Sequence, residues 1–427
     1  MRKFLHAADI HLDSPLQKLG QYEGAPVEHI RGASRRSLEN LVRLAIDQAV
    51  DLVVIAGDLY DGDWTDQNTG LFFVHQATKL VSAGIPVVVI RGNHDAANRM
   101  TSTLPLPRNP DGSEIMMRAD QVDLRLFDSI GVAVHGRSFL NRAELTNLAE
   151  GYPSPISGYF NIGLLHTSLT GAEGHDPYSP CTPAQLADKR YDYWALGHVH
   201  VRGNHAVEGA APVIFSGNLQ GRHIRESGPK GCVLVEIDSR NACSTRFCEL
   251  DVVRWHLCPL DISSCTSLED VNDEFREWLA TQLPELSDHL TVLRVELRGT
   301  TALYQQLHQN QLKLRSSFQA LAVTYGRDRV WLEDVRIRCA APSLATDAID
   351  LSGPLASLAH VLAELERQPD LNQLFESELQ ALRRRLPPEV NGEELVLPFE
   401  CRTWVNELLH SAGADVQARL HQQESDA

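Results

Sequence analysis

The chain has 427 residues, 43% of them hydrophobic, which is enough apolar material for a buried core and a length that suits two or three domains. Its formal net charge of -17 excludes nucleic-acid binding through a broad basic surface, so any contact with a polyanion has to be local. Eight cysteines are scattered without a C-x-x-C pair, which excludes a disulfide or zinc framework and suits reduced thiols packed as small hydrophobes.

From the N-terminus, two early positive charges precede a short apolar stretch that His6 and Asp9 interrupt, so no signal peptide is expected. The apolar runs have strand length, short of the roughly 18 residues that cross a bilayer, and the chain is expected in the cytoplasm with no membrane contact. Buried strands are predicted at 4–8, 52–56, 87–90, 132–134, 162–165 and 193–196. Helices are predicted at 35–50 and 66–83, the first with Leu38, Leu41, Val42, Ala45 and Ile46 at helical spacing. With further runs at 213–215 and 232–237, this βαβαβ pattern followed mostly by strands defines an α/β domain over 1–252. A composition break follows, and 253–342 reads as a small α/β domain. It has a strand from Trp255, a helix over 268–282, a strand over 290–297, two helices within 301–322 and a strand over 330–337.

After Pro342 the region 343–427 turns helical, with Leu355, Leu358, Leu362 and Leu365 on one face and Leu371, Leu374, Phe375, Leu379 and Leu382 on another. Gly353-Pro354, Pro387-Pro388 and Asn391-Gly392 punctuate it. These leucine faces serve either packing within the chain or a partner helix.

Five motifs follow predicted strand ends in order: Asp9-Ile10-His11, Gly57-Asp58, Gly92-Asn93-His94-Asp95, His166, and Gly197-His198-Val199-His200. Strand ends of an open α/β sheet converge on one crevice, where residues distant in sequence meet. Carboxylate, imidazole and amide donors without a thiolate suit Mn²⁺, Fe²⁺ or Zn²⁺ better than a structural zinc site. In D-x-H or H-x-H on a strand extension, alternate residues face one side. Gly57 and Gly92 are read as permitting tight turns before the ligands, and Asp58 is placed to bridge two cations roughly 3.5–4 Å apart. Singly these motifs are commonplace; the ordered set is not.

The series D-x-H, GD, GNHD, H and GHxH resembles the calcineurin-like metallophosphoesterase family. That resemblance implies an α/β fold in which a double-sheet sandwich flanked by helices holds a binuclear centre, followed here by a small α/β capping domain and a helical C-terminal region. It implies that Asp9, His11, Asp58 and His200 hold one divalent metal ion and Asp58, Asn93, His166 and His198 a second, Mn²⁺ before Fe²⁺ or Zn²⁺. It also gives His94 the proton chemistry at the leaving oxygen.

The flanking residues Ala7-Ala8-Asp9-Ile10-His11-Leu12-Asp13-Ser14-Pro15 and Ser216-Gly217-Asn218-Leu219-Gln220-Gly221-Arg222-His223 are similar to the YhaO-like branch of SbcD/Mre11-like bacterial DNA repair exonucleases. DNA is then the implied substrate, a Rad50/SbcC-like ATPase of the SMC family the implied partner, and a homodimer the frequent state. Asp61 departs from the archaeal and eukaryotic Mre11 pattern, which usually has histidine there, and resembles the aspartate that orients the catalytic histidine of metal-dependent protein phosphatases. An Asp61–His94 dyad is therefore expected. Arg222, His223 and Arg225 form a short basic cluster suited to a substrate phosphate.

His175 and Asp176 receive no role, and Arg383-Arg384-Arg385 complements a helix C-terminus. The same metals would also serve a small phosphodiester or nucleotide, which the acidic balance favours. A largely structural partner of an ATPase would be expected to have lost ligands, and here the set is intact.

Overall fold

A computed structural model describes residues 1–14, 26–61, 66–97, 105–169, 178–282, 289–342 and 354–368, with isolated positions beyond. Pro15, His175, Asp176, Gly353, Leu371, Leu374, Leu379, Leu382, Arg383 to Arg385, Pro387-Pro388 and Asn391-Gly392 lie outside the described residues. The chain divides into two compact units. The first is Met1–Pro259, Phe275–Glu296 and Arg315–Arg336; the second is Leu260–Glu274, Leu297–Leu314 and Ile337–Ala427.

In the first unit the strands are β1 (Arg2–Ala7), β2 (Leu52–Ile55), β3 (Val87–Val89), β4 (Asp123–Phe127), β5 (Val132–Gly136), β6 (Phe160–His166), β7 (Tyr193–Gly197), β8 (Gly203–Asn204), β9 (Val213–Phe215), β10 (Gly231–Ile237) and β11 (Cys243–Glu249). They form one sheet in the order β11-β10-β1-β2-β3 and another in the order β4-β5-β6-β7-β9-β8. β1, β2 and β3 run parallel, as do β5, β6, β7 and β9, so the predicted ligand loops leave each sheet at a common edge. Helices α1 (Val27–Arg31), α2 (Ala33–Asp47), α3 (Gln67–Ser82) and the short α4 (Asn93–Ala97) connect the first strands.

The strands read as unbroken apolar runs because both faces are covered. Phe4, Leu52, Val54, Val88 and Ile90 meet Val134, Phe160, Ile162, Leu164, Tyr193 and Ala195 in a layer between the sheets. On the other face of the first sheet, Leu5, Val53, Ile55 and Val89 pack on Leu38, Leu41, Ala45, Phe73 and Leu80 of α2 and α3. Leu165, Trp194, Leu196 and Phe215 cover the far face of the second sheet with Leu148, Tyr152, Leu186 and Tyr191. Each fully buried side chain of this size contributes about 1.5–3 kcal/mol relative to exposure. The expected double-sheet sandwich flanked by helices is therefore present.

One polar group enters the layer between the sheets. Burial pushes the pKa of His6 down to about 3, against the pull of the Leu196 carbonyl, so its ring is neutral. Nε2–H donates to Leu196 O at 3.1 Å, which leaves Nδ1 to accept from the Tyr193 hydroxyl at 3.1 Å. His6 thus satisfies its own hydrogen bonds while tying β1 to β7.

The strands that the sequence pattern does not mark are β4, β8 and β11, all at sheet edges. β11 exposes Ser244, Thr245 and Arg246 in succession, so no buried face imposes an apolar pattern on it.

Farther along the chain, β12 (Val253–Asp261), β13 (Leu290–Arg298) and β14 (Val330–Ile337) form a three-stranded sheet. The helices Leu268–Gln282, Tyr304–Gln309 and Gln311–Gly326 match the expected strand and helix order. Phe275 stacks on Phe318 with ring centroids 4.4 Å apart, and Arg294 grips Glu333 through two hydrogen bonds of 2.8 and 2.7 Å. In the second unit, Leu365 of the helix Pro354–Arg367 packs with Phe375, Val405 and Leu409, so part of the apolar tail covers itself. No helix of the described residues is long and apolar enough to cross a membrane.

Gly163 of β6 lies under the Trp194 indole, and a Cβ there would sit 2.3 Å from the ring. Trp194 is clamped by a stack on Tyr191 and by donation from Nε1 to Leu186 O at 3.1 Å, so it has no room to yield. Gly163→Ala is expected to destabilise the chain by about 1–3 kcal/mol in urea unfolding.

Candidate metal centre

The loops that leave β1 and β2 are laced together by their backbones. Asp9 N donates to Gly57 O at 3.0 Å, Ile10 N and His11 N both donate to Asp58 O, at 2.8 and 3.0 Å, and Leu12 N donates to Leu59 O at 2.8 Å. Asp95 adds the third loop. Its carboxylate accepts from Leu59 N, Tyr60 N and Gly92 N at 3.1, 3.0 and 3.1 Å. Burial, then the charge of Asp58, pushes the Asp95 pKa up to about 7 despite those three bonds. Asp13, next to the ligands, accepts from Arg35 of α2 at 2.8 Å and from Thr69 of α3 at 2.5 Å, which anchors the first loop to both helices.

This lacing holds an unusual backbone. Among the described residues eleven non-glycine positions have positive φ, and Asp9 (51°), His11 (45°), Asp58 (53°) and His198 (99°) are four of them. Such conformations cost of order 1–3 kcal/mol each and persist only where surrounding contacts enforce them. The reading of D-x-H and H-x-H as strand extensions is thereby corrected, because left-handed backbone rather than pleat alternation aims these side chains. Gly57 does occupy a turn that needs positive φ (95°). Gly92 does not; its requirement is space, since a Cβ there would lie 2.2 Å from Asp58 Oδ1 and 2.7 Å from His166 Cε1.

The polar atoms that result converge on one another. His166 Nδ1 lies 2.8 Å from Ala56 O and donates to it, and although burial opposes the ring's charge, Asp58 raises its pKa to about 9. Without a metal Nε2–H therefore faces Asn93 Oδ1 at 3.0 Å and Asp58 Oδ2 at 3.4 Å, both acceptors, and a cation bound there would replace that proton. His200 repeats the arrangement. Its Nδ1 is 2.7 Å from Glu226 Oε1, and its Nε2 faces His11 Nε2 at 3.3 Å and Asp9 Oδ1 at 4.0 Å. Burial pushes the His11 pKa down to about 3, with the Arg222 charge adding to it, so the ring is neutral and carries a single N–H. Burial likewise raises the pKa of Asp9, while nearby imidazoles, His166 foremost, hold Asp58 well below the usual carboxylate range against its own burial.

Buried imidazoles and carboxylates that converge in this way, with His166 and His200 each fixed through the other nitrogen, fit divalent cations. Donor atoms of Asp9, His11 and His200 lie within 4.8 Å of one another, as do those of His11, Asp58 and His94, and those of Asp9, Asp58 and His166. Six of the predicted residues thus gather around shared positions, and Asn93 joins them through His166. His198 lies alongside: its ring is 5.2 Å from that of His166, and its backbone N–H donates to both Asp9 oxygens at 3.1 Å. Its imidazole enters none of the three clusters among the described residues.

Asp61 and His94 lie side by side, with His94 Nδ1 2.9 Å from Asp61 Oδ1. The pair is close in distance without the alignment of a hydrogen bond. Burial works against the Asp61 charge, but His11, His94 and Arg222 together hold its carboxyl far below the usual range. His94 is shifted upward: burial opposes its charge, and the charges of Asp58 and Asp61 outweigh burial.

The basic cluster is divided. Arg222 turns inward, 3.2 Å from Glu226 and 3.6 Å from Asp61, and His223 lies 3.6 Å from Glu226, while Arg225 is exposed. Glu226 is the site residue that sequence reasoning missed, because it stands outside every motif. Asn218, which the sequence reading quoted only as flanking text, donates to it at 3.0 Å.

Comparison with known proteins agrees with this geometry. Residues 2–202 match the family described as calcineurin-like phosphoesterase, and residues 255–340 match the middle domain of metallophosphoesterase YhaO. Metallophosphoesterase YhaO of Bacillus subtilis, itself described as uncharacterized, is 34% identical over 265 residues, 62% of this chain and 64% of that one. The DNA double-strand break repair protein Mre11 of Methanopyrus kandleri is 26% identical over 274 residues, 58% of this chain and 57% of that one. The chain spans less than two thirds of the length of either relative. A dimetal phosphatase from Danio rerio covers 57% of this chain and 98% of its own at 12% identity and a TM-score of 0.36, a likeness too low to bear on function. The chain therefore carries a calcineurin-like metallophosphoesterase domain. Within that family it is YhaO-like.

Gly92→Ala tests the packing of the centre. The added methyl displaces Asp58 and is expected to weaken Mn²⁺ binding roughly tenfold or more, read by calorimetric titration, while the far-UV spectrum stays unchanged.

Proposed function

We propose that the chain is a two-metal phosphodiesterase that cleaves DNA, as an exonuclease or endonuclease subunit in DNA repair. The observation that carries the reading is the convergence of imidazole and carboxylate atoms from Asp9, His11, Asp58, His166 and His200, with His94 at its edge. Two divalent cations bound there would neutralise a phosphate and activate water near neutral pH. Mn²⁺ suits the oxygen and nitrogen donors, with Fe²⁺ and Zn²⁺ as alternatives.

Asp9, His11, Asp58 and His200 would hold one ion, and Asp58, Asn93 and His166 the other with His198 beside them. Asp58 would serve both. His94 donates a proton to the leaving oxygen. Its Nδ1 is turned to Asp61, which leaves Nε2 for the substrate, and the raised pKa keeps it protonated to higher pH. His223 and Arg225 are the basic groups assigned to a substrate phosphate, and Arg222 is assigned to it only through the edge it shares with Asp61.

DNA as substrate is supported by the Mre11 relatives, which are named for double-strand break repair, and by the additional domain after the sandwich. On the same basis we assign a cytoplasmic location, a capping role to 253–342, and to 343–427 the docking of a Rad50/SbcC-like ATPase; a homodimer is the expected assembly. A second reading, hydrolysis of a small phosphodiester or nucleotide, is favoured by the net charge of -17 and by the inward turn of Arg222.

End-labelled single- and double-stranded DNA with Mn²⁺ separates the two. Cleavage abolished by Asp58→Ala supports the nuclease, whereas turnover of a chromogenic diester with intact DNA supports the second reading. Asp61→Asn is expected to lower kcat about 10–100-fold. Removing the carboxylate lowers the His94 pKa, so the loss of rate on the alkaline side should begin at lower pH. An unchanged profile would exclude the dyad.

A further inference from the structure

Glu226 is only 6% exposed, and each of its oxygens is spoken for. Oε1 lies 2.7 Å from His200 Nδ1 and 3.2 Å from Arg222 Nη2. Oε2 accepts from Arg222 N at 2.7 Å and from Asn218 Nδ2 at 3.0 Å. The residue ends a tight turn, Ile224–Glu226, closed by donation from Glu226 N to His223 O at 2.8 Å. Chain crossing is equally close: a Cβ on Gly221 would fall 2.7 Å from Glu226 O. The carboxylate is therefore held by main chain and side chain before it meets His200.

We propose that Glu226 is a positioning residue that fixes the tautomer and ring angle of His200, and thereby sets the metal position shared by Asp9, His11 and His200. The proposal rests on the metal-centre reading above. An imidazole on an unrestrained Cβ–Cγ bond can present either nitrogen. A carboxylate on Nδ1 removes that freedom and makes Nε2 the more basic donor. His166 solves the same problem with a backbone carbonyl, Ala56 O. The two imidazoles are thus supported differently, His200 by a replaceable side chain and His166 by main chain. Lys230 strengthens the asymmetry by donating from Nζ to the His200 carbonyl at 3.1 Å, which holds that residue from its backbone side as well.

The test is calorimetric titration of the metal-depleted full chain with Mn²⁺, comparing the unaltered protein with Glu226→Gln, Glu226→Ala and His166→Ala. Two binding steps are expected for the unaltered chain. Glu226→Ala should weaken one step roughly 10–100-fold and leave the other in place. Glu226→Gln, whose amide oxygen can still accept from His200, should fall between, and His166→Ala should weaken the complementary step. If Glu226→Ala fails to fold, by its unfolding midpoint without metal, Glu226→Gln decides alone. Both steps weakened equally, or neither, overturns the positioning role while leaving the metal centre standing. Absence of paired binding in the unaltered chain overturns the metal centre, and the positioning role with it.

Discussion

Two imidazole nitrogens, His11 Nε2 and His200 Nε2, are held 3.3 Å apart, close enough to share one proton or to be bridged by one cation. His166 Nε2 is held against Asp58 Oδ2 at 3.4 Å in the same way. Much of the first unit is organised to keep those atoms together. Glycines clear the space, left-handed backbone turns side chains inward, and hydrogen bonds on the far side of the His166 and His200 rings keep these two from rotating away. The two sheets and the side chains that cover their outer faces supply the rigidity this needs, because strands buried on both faces cannot shift register without exposing a whole apolar face.

Charge is handled in the same spirit. The net charge of -17 would oppose a phosphate substrate, and near the centre the carboxylates are matched by cations. Arg222 stands between Asp61 and Glu226, so the carboxylate beside His94 and the one beside His200 share a counter-charge. Sharing of this kind couples the charge states of the two carboxylates to each other.

Much of this was legible in the sequence, for definite reasons. Strands covered on both faces have to be apolar throughout, and the ligand loops carry residue types that few other roles require. What escaped notice lacked such a constraint. β4 and β11 lie at edges, where one face meets solvent and no pattern is imposed. Glu226 is separated from His200 by 26 positions and resembles any acidic residue in a basic stretch. Gly92 was noticed for the wrong property, because sequence shows that a side chain is missing but not whether a torsion angle or a neighbouring oxygen demands it. The helical tail could be read as amphipathic, but the cover of Leu365 by Val405 and Leu409 depends on folding back over some forty residues, which periodicity does not report.

The place of β1 in its sheet has a consequence for how the molecule is made. This first strand pairs with β2 in parallel and with β10 in antiparallel, its Lys3 opposite Glu236. The N-terminal strand is therefore interior to the sheet and cannot complete its hydrogen bonding until more than half of the chain has emerged and returned. Closing a loop of that length delays the assembly of non-local strands. Asp9 and His11 are among the first of the converging residues to be synthesised, yet they gain their partners among the last, so a nascent chain presents loose carboxylates and imidazoles long before it presents the cluster.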